Sequence, residues 1–92
     1  MRPIKPAMVP RVALKARLQW DESRQRYVLL YPEGLVALNS TAGEILGLCD
    51  GVRSVGEVVE TLRQRYTSRE IEQDVVTMLQ RLAAKGLVTH GA

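Results

Sequence analysis

The sequence predicts an α+β fold: a small three-stranded antiparallel sheet followed by three helices, resembling a winged helix-turn-helix. Three observations carry that prediction. Apolar residues alternate at even positions from Val12 to Trp20, the period of a half-buried strand. Two short apolar runs then flank Tyr31-Pro32-Glu33-Gly34, where Pro presets φ at the second turn position and Gly tolerates φ > 0 at the fourth. From Asn39 onward the period becomes helical, and a Thr or Ser followed three residues later by Glu precedes each apolar stripe.

Ninety-two residues make one small domain, and one core can bury roughly two-thirds of the unfolded surface. Phe is absent and Trp occurs once, so that core is built from Leu, Val, Ile and Ala. Residues 1–10, MRPIKPAMVP, hold Pro3, Pro6 and Pro10 and predict a flexible or extended basic arm ahead of a single domain at 11–90. Arg2, Lys5, Arg11, Lys15 and Arg17 meet no acid within residues 1–17, whereas the rest of the chain is slightly acidic. Such an arm suits nucleic acid, an acidic peptide or an acidic protein, or serves solubility alone. One cysteine and no apolar run near the ~20 residues of a membrane span point to the cytoplasm.

The first strand is expected over about Leu14–Trp20, with Val12, Leu14, Ala16, Leu18 and Trp20 inward. The polar run 21–26 turns the chain into the hairpin, and the short connections make a meander. The first helix opens at a Thr41–Glu44 capping box, turns Ile45, Leu46, Leu48 and Cys49 inward, and ends at Asp50-Gly51. The second follows a Ser54–Glu57 box with Val55, Val58, Val59, Leu62 and Tyr66 on one face. The third follows Thr67–Glu70 and runs from about Ser68 to Lys85, with Gly86 placed for the left-handed position past its end.

No motif here carries catalysis. His90 sits near the C-terminus, and Cys49 lies on an inward stripe with no second Cys or His beside it. The glycines match neither a phosphate loop nor a dinucleotide fingerprint. The chain reads as a binding module. DNA recognition conflicts with a third helix that begins Ser68-Arg69-Glu70-Ile71-Glu72-Gln73-Asp74, whose acids would repel phosphates. On that helix Val76 and Ala83 widen the apolar arc on one flank, while Asp74, Arg81 and Lys85 occupy the other. The widened arc is either a broader core contact or one wall of a groove. In the second case the other wall is the strand Leu35-Val36-Ala37-Leu38, the last of the meander, whose free edge invites an added strand.

The run YVLLYPEGLVALNSTAGEILGLCDG resembles the PqqD family of pyrroloquinoline quinone (PQQ) biosynthesis, and the likeness extends over about residues 11–90. It takes in Arg17-Leu18-Gln19-Trp20-Asp21, the Tyr-Pro-Glu-Gly turn, Cys49-Asp50-Gly51, Leu79-Gln80-Arg81-Leu82 and Lys85-Gly86-Leu87-Val88. The resemblance implies a non-catalytic peptide chaperone, a RiPP recognition element. It would bind a PqqA-like precursor peptide as an added strand and present it to a PqqE-like radical SAM enzyme. The iron–sulfur clusters and S-adenosylmethionine would belong to that enzyme, so this chain would need no cofactor or metal. The expected peptide contacts are Leu35, Val36, Ala37 and Leu38 on the strand, and Val75, Val76, Leu79 and Ala83 on the helix, with Arg81 and Lys85 meeting acidic peptide residues. A DNA-binding winged helix and a docking subunit for a partner enzyme alone remain the alternatives. The chain is expected to be a monomer or a weak homodimer, since the open edge that accepts a peptide can also pair with a second copy.

Overall fold

The Tyr-Pro-Glu-Gly turn forms the hairpin expected of it, and the other elements assemble around that hairpin. The computed structural model describes residues 4–67 and 69–91. Along the chain these hold β1 (Val9–Val12), β2 (Arg17–Asp21), β3 (Arg26–Tyr31), β4 (Gly34–Ala37), α1 (Ser40–Leu48), α2 (Val55–Arg63), α3 (Ile71–Ala84) and β5 (Val88–Gly91). The fold is α+β. The meander β2-β3-β4 is antiparallel throughout, with Leu18 opposite Leu29 and Leu29 opposite Val36.

The first strand differs from expectation. The alternation from Val12 to Trp20 spans two strands with a turn between them, closed by a hydrogen bond from Ala16 N–H to the Ala13 carbonyl. Leu14 is therefore 93% exposed at a turn, although its parity matches the inward residues. The pattern runs through the turn because period two is blind to a break of even length.

The N-terminal arm is extended in part and is paired to the domain; residues 1–3 lie outside the described residues. Val9–Val12 form β1, which pairs with β5 to make a second sheet, with Val12 opposite Val88. Pro10 is buried and needs no N–H there, because its carbonyl faces away from β5 and accepts from Gly51 N–H at 3.0 Å. The preceding residues cap α2. Val55 N–H donates to the Met8 carbonyl at 2.7 Å, and Gly56 N–H donates to the Pro6 carbonyl at 3.0 Å. Glu57 N–H donates to Ser54 Oγ, and the Glu57 carboxylate accepts from Ser54 N–H. The amides at the start of α2 are thus satisfied by the expected capping box and by the arm together.

The other two helix starts shift. At α1 the cap is Asn39, whose side chain accepts from Ala42 N–H at 2.8 Å; Asn ranks with the best capping residues and lies two positions ahead of Thr41. The third expected box includes Ser68, outside the described residues, and α3 begins at Ile71 after Glu70 at its N-cap. The other end of α3 is as expected. Gly86 has φ 72°, its N–H donates to Ala83, and Leu87 N–H donates to Leu82. That is the Schellman pattern, and it reverses the chain into β5.

The core gathers residues from every helix onto β3: Leu29, Ile45, Leu46, Val58, Leu62, Val75, Leu79 and Leu87 are all fully buried. Each such side chain contributes roughly 1.5–3 kcal/mol on leaving water. Among the described residues no helix is long and apolar enough to cross a membrane.

Candidate functional site

Among the described residues β4 pairs with β3 alone, and its other side opens onto a groove of about 590 Å³. The strand enters the site because Leu38 is pinned: its amide donates to the Tyr27 carbonyl at 3.0 Å and its side chain is buried. That bond fixes the phase of the ladder. In an antiparallel pair alternate residues bond to the partner, so Gly34, Val36 and Leu38 face β3. The N–H and C=O groups of Leu35 and Ala37 then point to the open edge.

The groove is bounded by Val36, Ala37, Leu38 and Asn39 from the strand side, by Thr41, Ala42 and Ile45 from α1, and by Asp74, Thr77, Met78, Arg81 and Leu82 from α3 with Lys85 at its C-cap. α1 reaches the site because its cap, Asn39, follows β4 almost at once. Gly43 lets α1 lie close to the sheet, since a Cβ there would stand 2.6 Å from Tyr27 Cδ2. Tyr27 in turn meets Trp20 edge to face, with ring centroids 5.0 Å apart, and the Trp20 indole N–H donates to Glu22 at 2.7 Å.

The helix wall is not the flank expected from the apolar arc. Val75 and Leu79 have no exposed surface and belong to the core. Val76 and Ala83 are half-buried and do not line the groove. With 100° per residue from Ile71, the lining residues of α3 centre near 310°, whereas Val76 and Ala83 lie near 140° and 120°. Arg81 and Lys85 do line it, as do Val36, Ala37 and Leu38. Leu35 is 50% exposed and lies beside Leu30 on the sheet's other face, so its approach to the groove is through its backbone. Asn39, Thr41, Ala42, Ile45, Asp74, Thr77, Met78 and Leu82 were not anticipated. The polar flank of α3 carried the missed signal: it borders an apolar stripe, yet its charges have no partners on the helix at suitable spacing.

No ion pair among the described residues involves Asp74, Arg81 or Lys85; the pairs formed are Arg24–Asp21, Arg53–Asp50, Arg63–Glu72 and Arg65–Glu44. Away from the groove, burial pushes the Cys49 thiol up to about 12, with the nearby Asp50 charge adding to the effect, and its Sγ donates to the Ile45 carbonyl at 3.1 Å. It is a structural thiol. Among the described residues no cluster of three or more His, Cys, Asp or Glu side chains is placed to hold a metal.

Residues 26–88 match the family described as coenzyme PQQ synthesis protein D (PqqD). The chain belongs to the PqqD family. A PqqA binding protein of Rhodopseudomonas palustris (strain HaA2) is 50% identical over 85 residues, which cover 90% of this chain and 80% of that protein. A PqqA binding protein of Methylococcus capsulatus (Bath) is 46% identical over 72 residues, 78% of this chain and 77% of the relative. The solution NMR structure of the PqqD portion of Methylobacterium extorquens PqqCD, a functional and stand-alone RiPP recognition element, superposes with a TM-score of 0.80 at 35% identity, covering 94% of both chains. TbiB1, solved with the TbiA(beta) leader peptide, shares the fold at 21% identity with a TM-score of 0.74, over 89% of this PqqD chain and 98% of that one.

Proposed function

We propose that this PqqD chain binds a PqqA-like precursor peptide as an added strand on β4 and presents it to a PqqE-like radical SAM enzyme in PQQ biosynthesis. It acts in the cytoplasm as a carrier, without catalysing a reaction or holding a cofactor. The observation that carries the reading is the edge of β4 that no described strand pairs with, above a groove, with the backbone groups of Leu35 and Ala37 turned outward. Main-chain hydrogen bonds to an extended peptide supply affinity, and alternate peptide side chains settle between Val36, Leu38 and Met78. Close relatives that are PqqA binding proteins support the choice of ligand. DNA binding is disfavoured by the exposed Glu72 and Asp74 in the first turns of α3. Self-association through the same edge would compete with the peptide, so the working species is a monomer or a weak homodimer.

The test is calorimetric titration with a synthetic PqqA-like precursor peptide, using wild type and Ala37→Pro. Proline removes an outward N–H and leaves the β3–β4 ladder intact. The variant should keep the wild-type circular dichroism and bind at least about tenfold more weakly, the loss of one main-chain hydrogen bond of about 1.4 kcal/mol. Undiminished affinity in a folded Ala37→Pro protein would remove β4 from the binding site. A chain that binds only the enzyme, and never the free peptide, would be the docking subunit instead.

A further inference from the structure

We propose that the groove reads the charge order of the peptide it holds: an acidic residue is taken at the Arg81–Lys85 end and a basic or neutral one at the Asp74 end. The inference rests on the strand-addition reading of β4. Among the described lining residues the only ionisable ones are Asp74 and Arg81 on α3 and Lys85 at its C-cap, and all three are exposed. The strand and α1 contribute none. Among the described residues no ion pair involves any of the three.

Their order along the helix is fixed. At a rise of ~1.5 Å per residue, Arg81 lies about 10 Å and Lys85 about 16 Å beyond Asp74 along the axis. An extended peptide covers those distances in about three and five residues. Met78 and Thr77 stand between the two ends, so an apolar or small residue separates the charged ones on the peptide. An acid near the start of α3 and a base near its end also suit the helix dipole. That preference is satisfied anywhere around the helix, however, and does not explain why all three side chains share the flank that lines the groove. A peptide in the opposite order sets like charges against one another at both ends. Antiparallel pairing, the more stable ladder, sets the direction of the peptide on β4, and the charges then fix its register as well as its affinity.

Two synthetic nine-residue peptides of alternating apolar sequence test this. They have one composition and differ only in whether Glu at the third position and Lys at the seventh keep or exchange places. Fluorescence anisotropy at low ionic strength should show wild type preferring one order by about tenfold, about 1.4 kcal/mol. The ratio should fall towards one at about 1 M salt, where the screening length is about 3 Å. Arg81→Glu alone should shrink the ratio, and the combined variant Asp74→Lys, Arg81→Glu, Lys85→Glu should invert it. Equal affinity for the two orders, or a preference that survives both salt and substitution, overturns the inference while leaving strand addition standing. Binding of neither peptide overturns the strand-addition reading and this inference with it.

Discussion

At the residue scale, Gly43 shows how one missing methyl group shapes the site. A Cβ at this position would lie 2.6 Å from Tyr27 Cδ2, 3.1 Å from Cγ and 3.2 Å from Cβ. The contact reaches back to the Tyr27 stem, and the ring is braced by Trp20, so rotation of the side chain alone does not relieve it. Gly43→Ala should cost about 1–3 kcal/mol of overpacking, offset by about 1 kcal/mol of helix propensity. A thermal midpoint lower by several degrees is the expected outcome, with a change in Trp20 fluorescence; an unchanged midpoint would mean that α1 is not seated on Tyr27. Cys49 sets a second expectation. Its folded thiol titrates at about 12 against an ordinary 9.0, so the unfolded chain ionises first as pH rises. The stability from the buried neutral thiol is complete below pH 9 and is lost between pH 9 and about 12. Cys49→Ala should therefore show a flatter decline of stability with pH in that window, measured by urea unfolding. Asp50 and Glu57 have the opposite sign. Backbone N–H groups of Arg53 and Val52 hold the Asp50 carboxyl below its usual value, and Ser54 does the same for Glu57. Their contributions are present at neutral pH and fade as the solution is acidified through the carboxylate range.

At the scale of elements, the start of α2 depends on chain far from it. Its Val55 and Gly56 amides are satisfied by carbonyls of Met8 and Pro6, and β1 continues from there into pairing with β5. A chain lacking residues 1–8 should lose about 1–3 kcal/mol, from hydrogen bonds worth roughly 0.5–1.5 kcal/mol each together with the cover given by half-buried Ile4 and Met8. Urea unfolding of the truncated chain checks this, and equal stability would show that the arm's contacts carry nothing. Elements whose signals are local were legible in the sequence: the hairpin from its turn, α2 from the reciprocal Ser54 and Glu57 spacing, and the end of α3 from Gly86. β1 was not, because its partner Val88–Gly91 lies at the other end of the chain and three prolines mask the arm's capacity to pair. Nor was the break between β1 and β2, since Leu14 keeps the parity of the inward residues while standing on a turn.

For the whole molecule, function depends on how the layers leave β4. The meander ends on β4, which has no second neighbour among the described residues, and residues of α1 and α3 line the groove beside it. The edge was legible from the order of the strands, and Val36, Ala37, Leu38, Arg81 and Lys85 line the groove it opens onto. Apart from Arg81 and Lys85, the helix wall was not legible. A helical wheel gives the width of an apolar arc but not which neighbour covers each part of it, so the widening at Val76 and Ala83 points to one flank while Asp74, Thr77 and Met78 line the groove from the other side. The ladder phase set by Leu38 leads to the most direct measurement, amide hydrogen exchange by NMR with and without a PqqA-like peptide. Binding as an added strand should slow exchange at Leu35 and Ala37, the outward amides, while Val36 and Leu38 are protected in both states. Leu35 and Ala37 amides that exchange at the same rate in the free and the saturated protein would contradict strand addition on β4.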